Sequence, residues 1–302
     1  MRVVVTGGAG FVGSHVVDAL VSRGDEVTVV DSLSTGKREN VRPGAALHVR
    51  DIRDPLDDLF DEVRPEVVFH LAAQANVRVS VEQPAEDAAV NVLGTVHVLE
   101  AARHHGAQVV FSSTGGAIYG ECEEAARETA PLRPISQYGT AKLAGEEYLR
   151  TYNRLYASKH VVLRYANVYG PRQDPHGEAG VVAIFLGALA AGEQAQIFGD
   201  GRQTRDYVYV GDVAMATLAA VGQEGGVFNV GTGRETSVLG LYDLCRSVSG
   251  SELQATHAPA RVGELQRSFV DTSLAATEFG FTAMVDLESG LHATWEWIVR
   301  KD

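Results

Sequence analysis

Short apolar runs alternate with helical apolar stripes along the first half of the chain. Val3 to Thr6 is a β-branched run that leads into glycines, after which Phe11, Val12, His15, Val16 and Leu20 recur at helical spacing and stop near Gly24. This predicts a strand, a tight turn and a helix. Val27 to Val30, Leu47 to Val49, Val67 to Leu71, Val109 to Ser112 and Val161 to Tyr165 are further short apolar runs, the pattern of strands covered on both faces. Helical stretches separate several of them, the longest being Pro84 to His104 and Gln137 to Tyr156. The expected fold is α/β: a doubly wound parallel sheet with helices on both sides.

The rhythm changes near Tyr169. Residues 170–177, Gly-Pro-Arg-Gln-Asp-Pro-His-Gly, are loop chemistry, and shorter mixed elements follow. The expected organisation is a sheet domain over 1–168, rejoined by about 206–232 through the strand-like run Val227 to Val230, and a smaller, interleaved lobe over 169–302. No repeat or flexible linker separates the two.

At 302 residues with 45% hydrophobic and 22% charged positions, the chain has ample apolar surface for a packed core. Its net charge of −13 and the absence of a Lys/Arg block argue against nucleic acid or an anionic membrane as partner. The N-terminus runs directly into the first strand without a charged, apolar leader, and no stretch reaches the length of a membrane span, so a cytoplasmic protein is expected. Cys122 and Cys245 lack metal-site spacing and read as packing residues. His70, His97, His104, His105 and His176 are not spaced as metal ligands either, and no metal is expected.

Thr6-Gly7-Gly8-Ala9-Gly10-Phe11-Val12-Gly13 sits between the first strand and the first helix. Glycines there allow a tight turn whose backbone N–H groups, with the helix N-terminus, meet a pyrophosphate. Asp31, at the end of the second strand, suits the ribose hydroxyls of NAD and repels a 2′-phosphate. Lys37 and Arg38 just downstream are the residues that could receive one.

Tyr138 and Lys142 stand at i and i+4 of a predicted helix, close enough to interact. A nearby ammonium and an oxidised nicotinamide both favour phenolate, the form able to act as a base near neutral pH. Ser112, Ser113 and Thr114 end a predicted strand at the carboxyl edge of the sheet, where doubly wound folds bind ligands.

With these residues in view, the whole chain resembles the extended short-chain dehydrogenase/reductase superfamily and, within it, the UDP-glucose 4-epimerase family. The resemblance rests on TGGAGFVGSH at Thr6 to His15, Asp31 with Thr35-Gly36-Lys37, Asp51-Ile52, HLAAQ at His70 to Gln74, Asn91, SSTGGAIYG at Ser112 to Gly120, and YGTAK at Tyr138 to Lys142. Arg164 to Val181, Ile197 to Gly201, Thr204 to Val210 and Arg261 to Glu264 continue it. It implies a Rossmann domain, a catalytic NAD that stays bound, and inversion of C4 of a UDP-sugar through a 4-keto intermediate.

By the same resemblance Tyr138 is the base, Lys142 holds the NAD ribose and lowers the phenol pKa, and Thr114 with Ser113 hydrogen-bonds the 4-oxygen. Gly7, Gly10, Phe11, Val12, Gly13, Asp31, Ser32, Thr35, Gly36, Asp51, Ile52, Leu71, Ala72, Ala73, Asn91, Ser112 and Tyr165 join Tyr138 and Lys142 as cofactor contacts. Gln74, Asn167, Val181, Val182, Gln196, Phe198, Arg205, Arg261 and Glu264 join Thr114 and Tyr138 around the UDP-sugar, with Arg205 and Arg261 on the diphosphate and Glu264 near the uridine ribose. A homodimer through the two long helices is the family expectation.

SSTGGAIYG is one residue longer than the common family pattern, so counting from the strand selects Thr114 while counting back from Tyr138 selects Ser113. Gly115-Gly116 stands where dehydratase relatives carry acids, which leaves loss of water or CO₂ without support. Ser268, seven residues after Arg261, replaces the bulky Tyr of hexose-restricted relatives and leaves room for an acetamide. Arg172 is either a structural loop arginine or a contact for the C6 substituent. Asp200, Asp206 and Asp212 read as solvated or paired acids, and Trp295 and Trp297 as packing of a last helix. The rival readings are a UDP-glucuronate 4-epimerase, a nucleotide-sugar reductase, and a non-catalytic NAD- or nucleotide-binding sensor.

Overall fold

The computed structural model describes residues 1–175, 180–261 and 264–300. His176 lies outside them. Seven parallel strands form the main sheet: β1 (Arg2–Thr6), β2 (Glu26–Asp31), β3 (Ala45–Val49), β4 (Val67–His70), β5 (Gln108–Thr114), β6 (Val161–Tyr165) and, after the excursion of β7 (Asn167–Tyr169), β8 (Gln196–Phe198), β9 (Thr204–Arg205) and β10 (Tyr207–Tyr209), the last strand β11 (Gly226–Val230). Their order is β11-β6-β5-β4-β1-β2-β3. The chain reverses direction across the sheet between β1 and β4, and a crevice opens at such a switch point outside the carboxyl ends of the strands.

The helices are α1 (Phe11–Arg23), α2 (Asp57–Val63), α3 (Val77–Glu82), α4 (Pro84–Ala88), α5 (Gly94–His105), α6 (Gly115–Ile118), α7 (Gln137–Tyr156), α8 (Val181–Ala190), α9 (Val210–Ala219), α10 (Val238–Ser249), α11 (Ser273–Phe279) and α12 (Leu287–Val299). Strand alternation sorts the core into two layers. Val3 and Val5 join Val16, Val17, Leu20 and Val213 beneath α1 and α9, while Val4 joins Leu59, Phe60, Leu99 and Leu149 beneath α2, α5 and α7. Each such side chain contributes roughly 1.5–3 kcal/mol on burial.

A third cluster packs Val182, Phe185 and Leu186 of α8 against Leu241, Tyr242 and Cys245 of α10 and Leu291 and Ile298 of α12. Trp295 and Trp297 are partly buried at its margin, as packing residues should be. Three short strands complete the chain: β12 (Thr236–Ser237) and β14 (Arg267–Ser268) flank β9, and β13 (Thr256–Ala258) pairs with β8.

The stretch from Pro84 to His104 departs from the single helix its pattern suggests. A π turn over Ala89–Leu93 separates α4 from α5. Inside it the Asn91 carbonyl accepts the Thr95 hydroxyl at 2.7 Å, and the Asn91 side chain is spent on Gln74 and Asp87, so tertiary hydrogen bonds override the helical register. Cys122 and Cys245 are buried and free. No helix among the described residues is long and apolar enough to cross a membrane.

Candidate active site

The turn after β1 is built around Gly7, whose φ of +71° and whose approach to Ala72 (2.6 Å from a Cβ placed on it to the Ala72 nitrogen) exclude any side chain. A Cβ on Gly13 would stand 2.1 Å from the Gly7 carbonyl oxygen, so helix and turn close on each other only through glycine. No side chain caps the N-terminus of α1 at Gly10, and its first turn carries no acid. An uncapped end of a 13-residue helix at the switch point fits a pyrophosphate through its free amides and dipole.

Asp31 ends β2 and is 8% exposed. Its carboxylate accepts the Ala9 amide at 2.9 Å and the Leu33 amide at 2.8 Å, which fixes it beside the turn. Gly36 lies against this carboxylate, and a Cβ there would meet Asp31 Oδ1 at 2.7 Å. Ser32 and Thr35 are exposed on the same loop. The Lys37 ammonium lies 3.6 Å from Asp174, so one of the two cations that could hold a 2′-phosphate has an acidic partner. These residues fit NAD.

Ser136 caps α7, its hydroxyl accepting the Gly139 amide at 3.1 Å. Tyr138, Lys142 and Glu146 then fall on one face of the helix. The Lys142 ammonium, 2% exposed, donates to the Ser112 carbonyl at 2.8 Å and lies 4.7 Å from the centre of the Phe111 ring. Burial lowers Lys142 to about 8, against the opposing charges of Asp87 and Glu146. Burial also pushes the Tyr138 phenol up to about 12, and Asp87 adds to the rise. In the protein without cofactor, desolvation thus opposes the phenolate that Lys142 and an oxidised nicotinamide together are expected to favour.

The helix start brings Tyr138 to the hydroxyl strand. A Cβ on Gly139 would lie 2.6 Å from the Ala117 carbonyl oxygen, so α7 begins in contact with α6, the turn that follows Thr114. Next to Gly116 stands Asn167, whose Oδ1 is buried without a partner. Asn167 N–H donates to the Asp206 carbonyl and Asp206 N–H to the Ser268 carbonyl, while Ser268 pairs with Arg205 across β14 and β9. Arg205 lies 3.7 Å from Glu264, and the Arg261 guanidinium sits 3.8 Å from the centre of the Phe198 ring. Backbone hydrogen bonds and strand pairing thus link Asn167, Asp206, Ser268 and Arg205 in one connected stretch.

Several expected contacts are engaged within the protein. Ser113 donates its hydroxyl to Glu146 at 2.5 Å, on the α7 side of the sheet, and strand alternation turns Thr114 the other way. The Gln74 amide donates to Asp87 and to the Asn76 carbonyl, the Asp51 carboxylate is held by Arg53, and the Tyr165 phenol meets Thr217 at 2.7 Å. Ser112 donates to the His70 carbonyl, and Ile52 packs under Gly94. Leu71 and Ala72 are tied to Thr6, with Ala73 following. Val181 and the buried Val182 open α8, whereas Gln196 is exposed on β8.

Arg172 donates to Asp18 of α1 at 2.7 Å and, with the His15–Pro171 hydrogen bond, ties its loop to that helix. Asp206 is held by Thr232 and Gly233, Asp212 by the Met284 and Val285 amides, and Asp200 pairs with Arg202 at the surface. His70 is buried between Thr6 and Thr95, and burial lowers it to about 3. His104 and His105 face Asp57 and Asp61, and His97 lies beside the Ile52 carbonyl. No metal-ligating cluster occurs among the described residues.

Sequence reasoning missed Asp87, 1% exposed and the charge felt by both Tyr138 and Lys142, and the fully buried ion pair of Glu146 with Arg164 at 2.6 Å. Only Glu146 left a signal, being one further turn along the Tyr138–Lys142 face.

The chain is similar to a UDP-glucose 4-epimerase of Thermotoga maritima solved with UDP-glucose, at 48% identity and a TM-score of 0.97, covering 100% of this chain and 99% of that one. A Thermus thermophilus UDP-glucose 4-epimerase in complex with NAD is 46% identical, with a TM-score of 0.95 over 99% of each chain. A UDP-N-acetylglucosamine 4-epimerase of Methanobrevibacter ruminantium, in complex with UDP-N-acetylmuramic acid, is 34% identical with a TM-score of 0.95, covering 100% and 99%. Residues 3–231 match the NAD dependent epimerase/dehydratase family, and the chain belongs to it.

Proposed function

We propose that this protein is a NAD-dependent isomerase that inverts C4 of a UDP-hexose, interconverting UDP-glucose and UDP-galactose. The anchoring of Lys142 on the Ser112 carbonyl at the carboxyl end of β5, with the start of α7 against the turn that follows Thr114 and an uncapped glycine turn at the same edge of the sheet, supports this reading. Gly7 to Gly13 would hold the cofactor pyrophosphate, Asp31 the adenosine ribose, and Lys142 the nicotinamide ribose. When bound, NAD accepts the C4 hydride and returns it, and its cationic ring favours the phenolate that burial alone disfavours.

Tyr138 takes the proton of the 4-hydroxyl as the hydride leaves, giving a 4-ketose, and gives it back as the hydride returns to the opposite face. Thr114 donates a hydrogen bond to the 4-oxygen through both steps. Arg205 and Arg261 hold the diphosphate while the sugar turns, as cations that an overall anionic chain needs at this place. The free Oδ1 of Asn167 supplies an acceptor for a sugar hydroxyl.

Ser268, a small side chain paired with Arg205 across β14 and β9 where hexose-restricted relatives carry a bulky Tyr, supports acceptance of N-acetylhexosamines as well as hexoses. Arg172 Nη2 is engaged with Asp18, which favours the structural loop reading of this arginine, while its buried Nη1 has no hydrogen-bond partner. Leu93, Tyr148, Leu155 and Tyr156 are large, exposed apolar residues around α5 and α7, and they support a homodimer through these helices. Two free, buried thiols accord with a reducing, cytoplasmic setting.

The test is purified protein with no added cofactor, incubated with UDP-galactose and followed for UDP-glucose. Conversion that Tyr138→Phe abolishes supports the reading; no conversion, even with NAD supplied, overturns it.

A further inference from the structure

Thr114 is followed by Gly115 and Gly116, and one buried ion pair holds both sides of that stretch. Glu146 Oε1 accepts the Ser113 hydroxyl at 2.5 Å, directly before Thr114. Arg164, 1% exposed, meets Glu146 through Nε and Nη2 at 3.0 and 2.6 Å, and its Nη1 donates to the Tyr119 phenol at 2.8 Å, directly after α6. The Tyr119 phenol in turn donates to Asn229 Oδ1 at 2.7 Å.

The same hub reaches the wall of the sugar pocket. Arg164 donates to the Glu128 carbonyl and Asn229 to the Ala126 carbonyl, while Ala126 bridges to Val270, two residues after Ser268. Val270 also lies where a Cβ on Gly115 would collide, at 2.8 Å. Burying a paired charge this deeply is not a strong source of stability in itself, since desolvation offsets the attraction. What the pair provides is a fixed geometry at both ends of the seven-residue segment from Ser113 to Tyr119.

We infer that Glu146 and Arg164 are positioning residues that clamp the segment from Ser113 to Tyr119, so that the Thr114 hydroxyl alone faces the sugar 4-oxygen. This rests on the epimerase reading and sharpens it: Ser113 belongs to the clamp, and Thr114 touches substrate. Two glycines after Thr114 let the backbone pass close to Val270 and Asn167, and the clamp removes the freedom they would otherwise introduce.

Ser113→Ala removes one hydrogen bond and Tyr119→Phe removes two, those to Arg164 and Asn229, and both variants leave the Glu146–Arg164 contacts themselves in place. Measured with UDP-galactose, each should lower kcat by about tenfold with KM within about twofold, and each should cost nothing further in a Thr114→Ala background. Unchanged kcat in both single variants, or a loss carried in full into the Thr114→Ala background, overturns the clamp and leaves a merely structural ion pair. Failure of the epimerase reading is separately visible, because the unsubstituted protein would then convert no UDP-hexose, or Thr114→Ala would match it.

Discussion

Lys142 Nζ donates to the main-chain carbonyl of Ser112 at 2.8 Å, which fastens the cation of α7 to the end of β5. The contact sets the spacing between the helix that carries Tyr138 and the strand that carries Thr114. It also keeps a desolvated ammonium in place without an ion-pair partner at salt-bridge distance among the described residues. Burial therefore acts on Lys142 more strongly than the more distant charges of Asp87 and Glu146.

That balance has a pH signature in the cofactor-free protein. Lys142 falls from its ordinary 10.5 to about 8 on folding, so between those values the unfolded chain binds the proton and the folded one releases it. Stability relative to Lys142→Met should be flat below pH 8 and rise with pH across that window, as measured by denaturant unfolding of both proteins. The same substitution should lower kcat by about 10²-fold or more, since it removes the proposed ribose contact and an ammonium on the same helix face as the phenol.

Cofactor retention depends on residues that leave no room for change. Gly7→Ala puts a methyl 2.6 Å from the Ala72 nitrogen at a φ of +71°, and Gly36→Ala drives one into the Asp31 carboxylate at 2.7 Å. Both variants should be purified with most of their NAD lost, Gly7→Ala also with a melting temperature several degrees lower, a backbone effect of about 1–3 kcal/mol. NAD released by acid and measured per chain checks the first point, and calorimetry the second.

Sugar range should follow Ser268. Ser268 pairs with Arg205 across β14 and β9, so its replacement by Tyr adds a ring on this strand pair. Activity on UDP-GalNAc should fall by about 10²-fold or more while activity on UDP-galactose changes by about threefold or less, because only the larger 2-substituent meets the ring. Parallel chromatographic assays on the two substrates decide it, and equal losses on both contradict the assignment.

Assembly should respond to charge on the exposed face of α7. Tyr148 and Leu155 are 42% and 63% exposed and stand two turns apart. Tyr148→Glu combined with Leu155→Glu would bury unpaired carboxylates in a dimer, at a cost of several kcal/mol, and leave a solvated helix in a monomer. Sedimentation velocity should show a dimer for the unsubstituted protein and a monomer for the variant, with the melting temperature of the variant's sheet domain retained.

Much of this was legible in the chain because it depends on local chemistry. The apolar runs of β1, β2, β4, β5 and β6 end within a residue or two of their expected limits, and α7 spans Gln137 to Tyr156 as its pattern indicates. The glycine turn and Asp31 were readable for the same reason: a tight turn, a strand end and a helix start leave few residue choices. What escaped notice is non-local. Asp87 gains its influence from a π turn that Gln74, Asn91 and Thr95 impose together, and Arg164 looks like one more residue of an apolar strand until Glu146 and Tyr119 arrive from elsewhere. The choice between Ser113 and Thr114 was open for the same reason, since counting residues does not reveal which one meets Glu146.

The central claim is that C4 is inverted by hydride transfer within one closed site, with Tyr138 handling only the hydroxyl proton. UDP-galactose deuterated at C4, incubated with the protein in ordinary water and no added cofactor, tests it most directly. The account predicts UDP-glucose that keeps its deuterium at C4. Product carrying solvent hydrogen at C4 would contradict it, because the hydrogen would then have left the site as a proton.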